Sequence, residues 1–155
     1  MAVAYFMLKI VVYDSVKISR PDNTLSWFNV HARRRYYRGS RFDFVRVRGE
    51  GGINWIARIL GLFRVNVRAH PAIVEPGYIN LSVVQWMRQV EDAIPGMATF
   101  AFLQEVDVAL TESFISPVKL LLLPDDRQNP EPRMVAVPWG KTAAINGEFD
   151  QYSAL

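Results

Sequence analysis

Runs of β-branched and aromatic residues, broken by turn-forming residues, recur along this chain. The clearest run, residues 41–48, alternates roughly between apolar and polar side chains, and residues 53–67 form a longer β-branched and aromatic run. Such runs predict strands, and the glycine-rich turn at residues 49–52 joins the two as a hairpin. Gly61 lies inside the second run and predicts a bulge or bend.

Further segments have the same strand-like character. They lie at residues 5–13, 24–31, 78–87, 99–103, 106–113, 117–123 and 133–139. Residues 33–40 are polar and basic and predict a loop, whereas residues 88–94 are consistent with a short helix that ends at Pro95. Many short strands separated by turns predict an all-β protein with one or two short helices, built as a barrel or a sandwich.

Arginine is concentrated in one part of the chain. Between residues 33 and 68 there are ten arginines, opposed only by Asp43 and Glu50, which gives a net charge of +8. From residue 69 to the end, five basic and eleven acidic residues give a net charge of −6. The chain therefore has a basic part and an acidic part, and its preference for arginine over lysine favours bidentate recognition of phosphate or carboxylate.

The sequence lacks the residue patterns of common catalytic and metal sites. Cysteine is absent, which excludes disulfides, thiolate metal ligands and cysteine nucleophiles. His31 and His70 lack the spacing of a zinc site, and no nucleophile-elbow motif is present. We therefore expect no enzyme activity, no metal and no cofactor. No apolar run approaches the roughly 20 residues of a membrane-spanning helix, so we expect no membrane partner.

Arginines and tyrosines are interleaved just before the clearest strand. The cluster comprises Arg33, Arg34, Arg35, Arg38 and Arg41, with Tyr36 and Tyr37 among them. Guanidinium groups bind phosphates and rings stack on bases, so this pattern is typical of a nucleic-acid contact. Arg46 and Arg48 are expected on one face of the next strand, where they would extend the patch. A solvated loop that balances the acidic part, or a nuclear-import signal, is the alternative interpretation.

The four tryptophans, Trp27, Trp55, Trp86 and Trp139, all fall in predicted strands. A tryptophan in a strand usually belongs to the core, and this is the favoured interpretation here. Rings grouped around a carboxylate would instead form a cage for a methylated ammonium ion, held by cation–π attraction.

Four predicted strand segments follow one another in a characteristic order. The first two, residues 41–47 and 55–63, lie in the predicted hairpin, and the other two, residues 81–88 and 133–139, each contain a tryptophan. In this order and spacing the segments resemble the bromo-adjacent homology (BAH) domain, over roughly residues 41–141. Residues 37–43 also resemble a basic stretch that precedes a similar block in proteins of large eukaryotic DNA transposons.

The resemblance implies a partly open β-barrel at residues 41–141, preceded by a strand pair and basic loop at 1–40 and followed by a loose tail at 142–155. It implies a non-enzymatic, nuclear, chromatin-associated module that binds a histone tail or another nuclear protein. Some members of the family bind methylated lysine in an aromatic cage. The matching peptide-binding positions are Trp55, Trp86, Phe100 and Phe102.

Two other functions stay open on the sequence. The first is DNA binding by a transposon-derived domain, through Arg33, Arg34, Arg35, Arg38, Arg41, Arg46 and Arg48. It predicts an affinity that falls steeply with salt. The second is a structural or assembly subunit, which predicts a stable closed oligomer.

Overall fold

The computed structural model describes residues 5–19, 27–36, 39–70, 77–124 and 131–137. Across these residues the chain forms β1 (Tyr5–Tyr13), β2 (Ser15–Ser19), β3 (Trp27–Tyr36), β4 (Gly39–Phe42), β5 (Phe44–Arg48), β6 (Asn54–His70), β7 (Gly77–Ile94), β8 (Met97–Leu110), β9 (Phe114–Val118), β10 (Leu120–Leu122) and β11 (Arg133–Ala136). Short 3-10 turns lie at Glu50–Gly52 and Thr111–Ser113. The prediction of an all-β protein is confirmed.

The strands form two antiparallel sheets. The larger sheet has the order β10-β11-β8-β7-β6-β5-β9. β1 pairs with residues 62–70 of β6, on the edge where residues 54–58 of β6 pair with β5. The smaller sheet has the order β2-β3-β4. Over the described residues the sheets do not close into the predicted barrel, because β9 and β10, at the two ends of the path, follow one another around Lys119 rather than pairing with each other.

Two groups of buried side chains hold the sheets together. The first joins the smaller sheet, through Ile18, Phe28 and Val30, to one face of the larger sheet. The second lies within the larger sheet, where Met87 of β7 and Phe100 of β8 pack with side chains of β10 and β11. The N-terminal strands are therefore part of the same packed unit as the segment after residue 40, since β1 extends the larger sheet and β2 and β3 supply the first group.

The expected bulge at Gly61 is confirmed. The register between β6 and β7 shifts between Ile59 and Gly61. Ile59 and Leu62 are both buried in the first group although three positions separate them. Strict alternation would turn one of the two away from the core, so the extra residue of the bulge keeps both inside.

Two predicted elements are wrong. Residues 88–94 are not helical but continue β7 to Ile94, since Arg88, Gln89 and Val90 pair with β8. Within the predicted loop at residues 33–40, residues 33–36 belong to β3 and residues 39–40 to β4, since Arg33 pairs with Arg41 and Tyr36 with Gly39, and residues 37–38 lie outside the described residues. In both segments, pairing with a neighbouring strand outweighs the local preference of the sequence.

Residues 117–123, predicted as one strand buried on both faces, form the ends of β9 and β10, and Leu121 and Leu122 are exposed. Trp139 and the predicted tail at residues 142–155 lie outside the described residues. In the part of the chain that is described, no helix has the length and apolar character needed to cross a membrane.

Candidate functional site

Trp55 and Trp86 lie side by side on the larger sheet. Their ring centroids are 6.3 Å apart and the ring planes meet at 62°, an edge-to-face arrangement. Trp55 is 43% exposed, and Trp86 is half-buried against the first core group. The expectation that strand tryptophans are core residues is therefore wrong for Trp55, and also for Trp27, which is exposed on β3.

The turn between β5 and β6 holds the Trp55 ring. Gly51 and Gly52 have positive φ angles of 67° and 79°, which allow a tight turn. The backbone N–H of Gly49 donates a hydrogen bond to the carbonyl oxygen of Ile53 at 2.7 Å. A Cβ at Gly49 would lie 2.7 Å from Cδ1 and 2.8 Å from Nε1 of Trp55. The indole therefore lies directly over a position that only glycine can occupy without a shift.

Strand pairing brings the Trp86 ring next to the Trp55 ring. Trp86 pairs with Ala57, which lies two residues after Trp55 on β6 and on the same face. Ala57 itself is fully buried in the first core group. On the other side of β7, the register with β8 shifts between Gln85 and Met87, and Trp86 lies at this shift.

Carboxylates rim the cleft beside the two rings. It has a volume of about 750 Å³. Its lining includes Glu50 from the first 3-10 turn, Asp107 from β8 and Glu112 from the second 3-10 turn, with Arg48 as the basic residue. All three carboxylates are exposed, and no cation among the described residues forms an ion pair with them. The tryptophan cleft, as we call this site, is thus an acidic surface on a basic protein.

Two of the four predicted peptide-binding residues do not belong to the cleft. Phe100 is 1% exposed in the second core group, so it is unavailable to a ligand. Phe102 packs against the same group, with its ring centroid 6.3 Å from that of Phe44, and the Arg58 guanidinium lies 4.5 Å from its ring. Burial also lowers the pKa of Arg58. Phe100 pairs with Met134 of β11, and both phenylalanine rings pack with the second core group, which the sequence does not reveal.

The predicted arginine patch is divided in the structure. Arg33 and Arg41 pair across β3 and β4, but their guanidinium Nε atoms lie 4.0 Å from Asp14 and 3.1 Å from Asp43. Arg34 is exposed and lies where the register of β3 with β4 shifts, between Arg33 and Tyr36. Arg46 and Arg48 share one face of β5, opposite Val45 and Val47, as predicted.

Arg35 and Arg38 are the remaining members of the predicted patch. Arg35 is described only as part of β3, and Arg38 lies outside the described residues. The described arginines thus form several small basic surfaces, and nucleic-acid binding by them stays a prediction.

A second polar cluster was not anticipated from the sequence. Asp43, between β4 and β5, accepts hydrogen bonds from the backbone N–H of His31 at 2.9 Å and from Nε of Arg41 at 3.1 Å, and its Oδ2 lies 2.8 Å from His31 Nδ1. These bonds tie the smaller sheet to the start of β5. Both carboxylate oxygens of Asp43 are engaged by these contacts, so the cluster stabilises the junction between the two sheets.

The tryptophan cleft suits a positively charged group. Two ring faces whose centroids are 6.3 Å apart can both approach a single cation to within the roughly 6 Å of a cation–π contact. Three exposed carboxylates add negative charge at the rim. In the described part of the chain, no cluster of three or more histidine, aspartate or glutamate residues has the geometry to hold a metal ion. The cleft thus combines aromatic ring surface with negative charge.

Comparison of the chain with protein families, with curated proteins and with solved structures gave no match.

Proposed function

We propose that this chain is a BAH-like, non-enzymatic interaction module that binds a lysine-bearing segment of a histone tail or another nuclear protein. The observation that carries the proposal is the pairing of Trp55 with Trp86 at the mouth of an acidic cleft. The ammonium group of the lysine, in a methylated form, lies against the ring surfaces that the two indoles present to the cleft.

Methylation favours this mode of binding because it makes the ammonium larger and less strongly hydrated while leaving its charge in place. The rings then supply cation–π attraction that water does not offset. Glu50, Asp107 and Glu112 attract the other basic residues of such a segment. Histone tails are rich in lysine and arginine, so their charge complements a rim of this kind.

Calorimetric titration with histone-tail peptides tests the proposal. The peptides carry one lysine as the unmodified, dimethylated or trimethylated form, and a fourth peptide replaces the trimethylammonium with an uncharged tert-butyl group of the same shape. We expect the methylated peptides to bind best and the uncharged peptide at least about tenfold more weakly. Equal binding of charged and uncharged peptides would contradict cation recognition.

Substitution of single tryptophans locates the binding site. Trp55→Ala should weaken binding by about tenfold or more without unfolding the protein, because this ring is 43% exposed. Trp27→Ala is the matched control, since Trp27 is also exposed on a strand but contacts Lys17 away from the cleft. An equal loss in the two variants would contradict the assignment of the cleft.

A further inference from the structure

One face of the larger sheet is apolar, and within the described part of the chain no other element packs over it. Ten side chains from β1, β6, β7 and β8 form it, and we call it the apolar face. They are Ile10, Val12, Phe63, Val65, Ile79, Leu81, Val83, Val106, Val108 and Leu110. None of them belongs to either group of core residues.

The strand register shows that these side chains share one face. One row across the sheet runs from Val12 to Phe63, then to Leu81 and Leu110. Neighbouring rows place Ile10, Val65 and Ile79 in line, and Val83 beside Val108. Residues directly opposite one another in an antiparallel pair project to the same side, so the rows form one continuous apolar surface.

The size of the apolar face exceeds that of ordinary surface patches. Its six most exposed members, Ile10, Val12, Ile79, Val106, Val108 and Leu110, are between 47% and 75% exposed. They and the four half-buried members present on the order of 700 Å², above the roughly 300–600 Å² of the largest apolar patch on a typical monomer. Each partner in a standard specific interface buries about 800 Å². The face is thus large enough for one such interface.

We propose that the apolar face is the interface of a homodimer, in which a second copy of this chain stacks its own apolar face on the first. None of the ten side chains carries a charge, so two identical faces meet without burying an unpaired ion. Sheets pack well face to face at a spacing of about 10 Å. A two-fold axis then lets one patch serve both partners.

The dimer leaves both tryptophan clefts open. Trp86 and Asp107 project from the face opposite to Val83 and Val108, because neighbouring positions on β7 and β8 alternate in direction. Only Leu110, at the end of β8, lies at the rim of both surfaces. A dimer therefore presents two cation-binding clefts on its outer surfaces, although dimerisation itself does not depend on what the clefts bind.

Sedimentation equilibrium of the full chain over a wide range of concentrations tests the proposal. We expect a dimer whose Kd rises more than about thirtyfold in the double variant Val12→Glu/Val108→Glu. Each substitution occurs in both copies, so the interface of the variant dimer would bury four carboxylates. Leu121→Glu/Leu122→Glu is the matched control, because these leucines are exposed on β10, outside the apolar face. It should leave the Kd unchanged. Urea unfolding shows whether each variant is folded.

A milder variant and a change of salt complete the experiment. Val12→Thr/Val108→Thr keeps the shape of both side chains and should weaken the dimer less than the glutamates do. The Kd should stay constant or fall as sodium chloride rises, whereas association of the basic part with the acidic part would weaken. A monomer at all concentrations, a dimer weakened equally by the β10 control, or a dimer that dissociates in salt would overturn the proposal.

Discussion

The indole of Trp55 lies against the backbone of Gly49, where any other residue would place its Cβ. At the scale of single residues, the position of the Trp55 ring in the cleft thus depends on the absence of a Cβ at residue 49. The Gly49 position has an extended backbone, so glycine is needed there for space and not for its φ angle.

We expect Gly49→Ala to destabilise the protein by about 1–3 kcal/mol, since the new methyl group overlaps both the Trp55 ring and the Ile53 carbonyl oxygen. It should also weaken binding of a trimethyl-lysine peptide. Gly39→Ala is the control, because a Cβ at that position would have no other atom within 4 Å. Urea unfolding and peptide titration measure the two effects. Equal stability of the two variants would show that Trp55 does not lie on Gly49.

Asp43 and Asp14 differ in how many hydrogen bonds their carboxylates accept. Asp43 accepts three hydrogen bonds from His31 and Arg41, whereas Asp14 is exposed and 4.0 Å from Arg33. We expect Asp43→Ala to lower the free energy of unfolding by about 1–2 kcal/mol, and Asp14→Ala by less than about 0.5 kcal/mol. Urea unfolding of both variants checks this, and a similar loss in each would contradict it.

At the scale of elements, the bulge in β6 determines which side chains reach the core. Deleting Leu60 should destabilise the protein by about 3 kcal/mol or more, because Ile59 or Leu62 would then turn out of the core. Gly61→Ala is the control and should be tolerated, since a Cβ there would meet only Val83, at 3.8 Å. Chemical unfolding of both variants decides the matter, and an unchanged deletion variant would mean that the bulge has no such role.

Alternation predicted the strands well where one face of a strand is buried and the other exposed. It identified the hairpin of β5 and β6, because buried valines such as Val45 and Val47 alternate with arginines. It failed at residues 33–36 and 39–40 and at residues 88–94, which pair with the adjacent strand of a hairpin, as Arg33 does with Arg41 and Val90 with Thr99. These segments are polar, and their composition does not reveal that pairing.

The candidate site was predictable only in part. Trp55 and Trp86 were predicted to act together, although burial in the core was the favoured interpretation of strand tryptophans. The carboxylates were missed because Glu50, Asp107 and Glu112 approach the rings only through the pairing of β5 to β8 and the two 3-10 turns. Phe100 and Phe102 were assigned wrongly because their burial depends on packing of β8 with β10 and β11, which are distant in the sequence.

At the scale of the whole molecule, the basic and acidic parts of the sequence do not form one basic and one acidic surface. They form several small surfaces of each charge. We expect only weak, salt-labile binding to duplex DNA, with Kd above about 1 μM at physiological salt, because Arg33 and Arg41 lie near carboxylates that reduce their attraction for phosphate. Fluorescence anisotropy over a series of salt concentrations checks this. Tight, sequence-specific binding that is lost in Arg33→Ala/Arg41→Ala would instead favour the nucleic-acid function.

The two indoles of the cleft are also a pair of coupled optical transitions. Because their centroids are 6.3 Å apart and their planes meet at 62°, excitation of one ring is shared with the other, and the far-ultraviolet circular dichroism of the folded protein should contain a split band of opposite signs. A cation bound against the two rings changes their mutual orientation and hence the size of the splitting. The cleft thereby carries its own chromophore for reporting occupancy, without any attached dye.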